Sequence, residues 1–216
     1  MKKFVFILII SLFLAGNAFS QVANKHGKGA MLIGFDVGAA GTTNFTKILK
    51  SSASYSKGNY GLNFGAGVHF DYYLNNVFSL GTGLRYQPGI YLFLDKDYDF
   101  SKSTSFSDIA KSPICLTVPI MAHINVPVFQ WLYAGAGVNL NFPIGSLLDS
   151  QIPVELGDFD TKGNFFIGIP IDLGFDFISA GQGGMRIFFR VTPEFHEGGT
   201  VVPIGFIWQV FNIKLR

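Results

Sequence analysis

"GLNFGAGVHFDYYLNN", residues 61–76, sorts its side chains by parity. Leu62, Phe64, Ala66, Val68, Phe70 and Tyr72 share one face, while Gly61, Asn63, Gly65, Gly67, His69 and Asp71 share the other. A period of two marks a β-strand whose faces meet different surroundings. Bulky apolar groups opposite glycine, histidine and aspartate put the bulk toward an apolar solvent and the small and polar groups toward a confined interior.

The pattern recurs. Ile33, Phe35 and Val37 oppose Gly34, Asp36 and Gly38; Phe78, Leu80 and Leu84 oppose Gly81, Gly83 and Arg85. Leu116, Val118, Ile120 and Ile124 oppose Thr117, Met121, His123 and Asn125, and Val138, Leu140 and Phe142 oppose Gly137, Asn139 and Asn141. Ile167, Ile171, Leu173 and Phe175 oppose Asp172, Gly174 and Asp176; Ile187, Phe189 and Phe195 oppose Arg186, Arg190 and Glu194. The last, with Ile204, Phe206 and Trp208 against Gly205 and Gln209, is the least regular. These segments predict eight strands, with every charged residue on the glycine face. No run after residue 20 has the about 20 apolar residues of a membrane-spanning helix.

The N-terminus, "MKKFVFILIISLFLAGNAFS", has two lysines, a short apolar stretch and small residues at Ala18 and Ser20, the layout of a cleavable signal peptide over residues 1–20. Residues 21–28 then read as a short periplasmic segment and 29–216 as the barrel. The whole chain has 16 basic and 14 acidic residues; cleavage would remove Lys2 and Lys3, leaving 14 of each. Nothing in that balance points to nucleic acid. Cys115 is the single cysteine, so no internal disulfide forms.

Connections alternate in length. Those at Leu74–Asn76, Pro127–Phe129 and Ser179–Gly183 are short; those over 41–59, 95–112 and 143–163 are long and polar. A fourth, near Glu197–Thr200, is short and breaks the rule. Tight turns on one rim and long loops on the other are the signature of an outer-membrane barrel. Pairing the sixth and seventh strands around Gly181 sets Asp176 against Arg186 and Asp172 against Arg190, two favourable cross-strand pairs in one register. The fold class is therefore all-β: an eight-stranded antiparallel up-and-down transmembrane β-barrel, preceded by the signal peptide. Pro119, Pro170 and Pro193 each remove a ladder donor, so bulges are expected there. Tyr72, Tyr86, Phe142, Phe175 and Trp208 suit the aromatic girdles at the membrane surfaces.

"LTVPIMAHI" (Leu116–Ile124), followed by "YAGAGVNLNF" (Tyr133–Phe142), resembles the small outer-membrane β-barrel family typified by OmpA/OmpX-type barrels, and within it the PorT-like outer-membrane β-barrel domain. The resemblance implies an integral outer-membrane protein with no catalytic motif and, in one branch, a role in protein secretion. It departs at the end "FNIKLR", where many such barrels place a terminal aromatic residue.

An eight-stranded barrel has room inside only for side chains. Asp36, His69, Asp71, Arg85, His123, Asp172, Asp176, Arg186, Arg190 and Glu194 are expected to fill it as a polar network. His69 and Asp71, two apart on one face, could instead be a metal or acid–base pair, but a metal wants more ligands. His196, with Glu194 and Glu197, could serve a lipid-modifying enzyme, although no serine stands at matching spacing. No catalytic, cofactor or metal site is assigned. A narrow pore is the alternative function. A soluble lipocalin-like carrier would need the opposite arrangement of bulk. Expected partners are outer-membrane lipid and lipopolysaccharide, the barrel assembly machinery, and a surface or secretion partner at the three long loops.

Overall fold

The computed structural model describes residues 28–43, 60–92, 110–126, 131–146, 165–177, 184–196 and 199–215. The expected signal peptide over 1–20, nearly all of the segment expected over 21–28 and most of each expected long loop lie outside the described residues. Eight strands run in order: β1 (Met31–Thr43), β2 (Tyr60–Tyr73), β3 (Phe78–Leu92), β4 (Pro113–Asn125), β5 (Leu132–Ser146), β6 (Phe166–Gly168 and Ile171–Asp176), β7 (Arg186–Val191 and Glu194–His196) and β8 (Gly199–Val201 and Ile204–Leu215). A two-residue extension, Ala110–Lys111, pairs with β3 ahead of β4. Each strand lies antiparallel to the next, and β1 pairs with β8, so the sheet closes. Closure leaves no unpaired edge, the condition for crossing hydrocarbon with strands. No described helix is long and apolar enough to cross a membrane.

Local chemistry fixes the ends. Gly29 takes a left-handed φ of 81° and its N–H donates to the Tyr73 carbonyl, starting the β1–β2 ladder. In the β2–β3 turn, the Asn75 side-chain oxygen accepts from the N–H groups of Val77 and Phe78, both at 2.8 Å. That Asx arrangement explains a tight turn at Leu74–Asn76. Gly41–Thr43, Ala110–Lys111 and Pro143–Ser146 are strand rather than loop, so the wall rises further than expected from the sequence.

Parity decides which side meets lipid. Phe35, Leu173 and Phe206 are 56%, 58% and 63% exposed, whereas Tyr73, Tyr133, Asp176 and Arg186 are wholly buried. An apolar outer surface of this extent is unsuited to water and suited to a bilayer. Tyr72, Phe142 and Phe175 lie outward near strand ends; Tyr86 and Trp208 also face outward but sit well inside β3 and β8.

The bulges expected at Pro119, Pro170 and Pro193 are not there. β6, β7 and β8 break at Pro170, Pro193 and Pro203, yet their ladders resume in the same register on both sides. β4 also holds one register through Pro119. A proline still offers its carbonyl: Gly137 donates to Pro170, Ile169 to Pro193 and Thr192 to Pro203. The register shifts lie elsewhere. Phe211 and Asn212 of β8 together oppose Gly34 of β1, and Ile144 of β5 is the extra residue opposite Ile114–Cys115. The first shift accounts for the irregular final strand, because parity reverses there and Asn212 turns inward.

Glycine makes room for the large inward groups. A Cβ on Gly135 would lie 2.6 Å from His123 Cδ2, and one on Gly81 would lie 2.6 Å from His123 Cε1 and press on Asp71. Gly81→Val should therefore lower stability by about 1–3 kcal/mol through overpacking. Ile171→Arg should cost about 2–4 kcal/mol, because its position faces lipid. Urea unfolding in lipid vesicles measures both; a neutral Ile171→Arg would contradict the outward assignment.

Candidate functional site

The lumen residues come together in separate groups. At the tight-turn end, Arg186 on β7 is the centre. Its Nη1 donates to Asp71 Oδ2 on β2 at 2.7 Å and to Gln209 Oε1 on β8 at 3.0 Å. Its Nη2 donates to the Tyr73 hydroxyl at 2.7 Å and to Asp176 Oδ2 on β6 at 3.1 Å. The guanidinium carbon lies 4.2 Å from the centre of the Tyr133 ring on β5, a cation–π contact. Asn125 on β4 donates to Asp176 at 3.2 Å, and His123 Nδ1 stands 3.4 Å from Asp71 Oδ1. One side chain thus ties β7 directly to β2, β5, β6 and β8, and Asn125 extends the group to β4.

Two ion pairs lie further toward the long-loop rim. Arg85 Nε is 2.7 Å from Asp36 Oδ1, joining β3 to β1. Arg190 grips Asp172 through two bonds, Nε to Oδ1 at 2.6 Å and Nη2 to Oδ2 at 2.7 Å. That two-pronged geometry is the strong form of an arginine–carboxylate pair. Asp172 pairs with Arg190 and Asp176 with Arg186 in the β6–β7 ladder, the register read from the sequence. His69 joins neither ion pair; its Nε2 is 2.6 Å from Asn212 Oδ1 across the β8 bulge. Among the described residues no cluster of three or more metal-ligating side chains occurs, and His69 and Asp71 divide between different partners. Glu194 is buried and lines a cavity near the long-loop rim. His196 closes β7 against Gly199 through its backbone.

Sequence reasoning missed the neutral partners. Tyr73, Tyr133, Gln209, Asn125 and Asn212 complete the network without carrying charge. Tyr133 and Gln209 were legible as inward by parity; Asn212 was hidden by the bulge. Phe188, also inward, packs on Tyr133 with ring centres 5.7 Å apart.

Among the described residues small cavities remain between these groups, including ones of about 40, 20 and 20 Å³. One water needs about 10–15 Å³ of such space, so each holds at most a few.

A closed, lipid-faced barrel with a polar interior narrows the family, and the sequence match settles it. Residues 19–146 match the outer membrane protein beta-barrel domain. The chain belongs to that family. It is an outer-membrane protein that crosses with β-strands. No curated protein matches it. Among solved structures, OprG from Pseudomonas aeruginosa is 11% identical with a TM-score of 0.48, covering 89% of this chain and 99% of its own. Ail from Yersinia pestis, solved with the heparin analogue sucrose octasulfate, is 10% identical with a TM-score of 0.44, covering 86% and 99%. The N-terminal barrel domain of Pseudomonas aeruginosa OprF is 12% identical with a TM-score of 0.39, covering 87% and 100%.

Replacing Arg186 by Met should destabilise this outer-membrane barrel by about 3–5 kcal/mol, because two buried carboxylates lose their counter-charge. Arg190→Met should cost less, since that side chain keeps 11% exposure and strands one acid rather than two. Adding Asp71→Asn to Arg186→Met should recover part of the loss, as a double-mutant cycle of urea midpoints will show.

Proposed function

We propose that this protein is a non-enzymatic, non-conducting barrel. Its lumen is plugged by its own ion pairs, and its rigid wall displays the long loops for envelope structure, surface contact or secretion assembly. The observation that carries the reading is the Arg186 centre. A guanidinium bound to two carboxylates, a hydroxyl and an amide spans the bore at the tight-turn end. An ion entering there would have to displace an arginine that is fully desolvated and multiply held. The buried acids and bases with assigned partners are occupied with one another, which favours a structural over a catalytic role for them. Outer-membrane lipid and lipopolysaccharide would be its surroundings, and the barrel assembly machinery its route of insertion. A surface or secretion partner would meet the loops over 41–59, 95–112 and 143–163, where a rigid scaffold ordinarily carries binding.

The test is current through single molecules in planar bilayers. The wild-type chain should give no discrete steps. Steady steps in the wild type, with Arg190→Ala changing their size, would replace this reading with that of a narrow pore.

A further inference from the structure

Toward the long-loop rim the bore changes character. Beyond the Arg85–Asp36 and Arg190–Asp172 pairs, its inward polar side chains include the carboxamides of Asn63 on β2, Gln87 on β3, and Asn139 and Asn141 on β5. Glu194 on β7 is the acid among them. Two of the small cavities meet here. The one of about 40 Å³ and one of about 20 Å³ share Asn63, Gln87 and Glu194 in their walls, and Asn139 borders the larger.

The oxygens around this junction outnumber the donors that answer them. Asn139 is 4% exposed, and its amide oxygen has no partner among the described residues. Asn139, Gly168 and Glu194 oppose one another in one row across β5, β6 and β7. A Cβ added to Gly168 would lie 3.4 Å from Glu194 Cγ and 3.5 Å from Asn139 Cβ, so both side chains flank the space over that glycine. The Gln87 carbonyl accepts from the Thr117 hydroxyl and keeps a second lone pair. A carboxylate has about four acceptor positions, so Glu194 can serve this space and a further partner together.

We propose that the junction of the two cavities binds one alkali-metal ion through side-chain oxygens of Glu194, Asn139, Asn63 and Gln87. A space of one to a few waters matches a small ion and excludes a larger solute. Among the described residues the bore holds five inward acids against three arginines, so with its histidines neutral its field favours a cation over an anion. Arg85 and Arg190 border the larger cavity, but each holds an aspartate, Asp36 or Asp172. One carboxylate among neutral oxygens suits a single charge, whereas calcium draws six to eight oxygens, commonly with several carboxylates. No described cluster of three acids, histidines or cysteines stands ready for a divalent metal. The ion ties β2, β3, β5 and β7 together near the loops, as Arg186 ties strands at the other end. The site lies on the long-loop side of Arg186 and does not depend on whether the bore conducts.

The test is urea unfolding of the exported chain in vesicles of phosphatidylcholine, a lipid without net charge. KCl, NaCl and N-methylglucamine chloride are compared at one ionic strength. The wild-type midpoint should rise with potassium or sodium and saturate, because an ion bound only by the folded state stabilises it. N-methylglucamine, too large for the space, should give no such rise. Asn139→Ala should raise the half-saturating concentration about tenfold, the worth of one charge-assisted contact. Glu194→Gln keeps the shape, removes the charge and should abolish the ion dependence. Should that variant not fold, Asn139→Leu, which removes an oxygen and fills space, should abolish it in its place. Crystals soaked in thallium(I) should show an anomalous peak between Glu194 and Asn139. Equal midpoints in the three salts, an ion dependence that survives Glu194→Gln or Asn139→Leu, stronger stabilisation by calcium, or no thallium at the junction would overturn the proposal.

Discussion

Every backbone N–H and carbonyl of a chain in hydrocarbon must find its partner within the protein. That constraint governs the rest of this molecule. It requires β1 to meet β8, it makes strand parity the arbiter of what faces lipid, and it leaves an interior with little space. Once the wall is closed, the inward residues must fit one another. Small residues at Gly34, Gly81 and Gly135 stand where His69 and His123 need volume. The packing problem is solved mainly by leaving out side chains beneath the large ones.

Electrostatics follows the same logic. Among the described residues the arginines enter the bore with partners: Arg85 with Asp36, Arg190 with Asp172, and Arg186 with Asp71 and Asp176. Breaking such a buried set is expensive because the remaining member is stranded, whereas the intact set need not add much net stability. Its contribution is better understood as specificity. The Asp172–Arg190 and Asp176–Arg186 pairs permit one alignment of β6 on β7, since a one-residue slip would turn each group toward lipid.

Much of this was legible in the residues. Period-two alternation placed all eight strands and turned Asp36, Asp71, Arg85 and Arg186 inward. Charge complementarity predicted the β6–β7 register. What escaped the sequence was long-range or conformational. Nothing local couples Arg186 to Asp71 and Tyr73, which meet only because the wall is closed. Parity fails at Asn212 because two residues of β8 share one partner on β1, and a bulge leaves no simple mark in hydrophobicity. The prolines misled in the other direction. A missing donor suggested a bulge, but a proline carbonyl can still accept, so Pro170, Pro193 and Pro203 interrupt the ladder without shifting it.

Arg186 and its partner Asp71 are 115 positions apart, and His69 and Asn212 are 143 apart. Contacts this distant in the chain demand that a long loop be closed before they return any energy, which makes a topology slow to form. β1 to β4 alone would present a bare strand edge to lipid and an Asp71 without its arginine. The half-built wall therefore has no stable resting place in the bilayer, and crossing the membrane and closing the ring become a single cooperative event timed by the arrival of the last two strands.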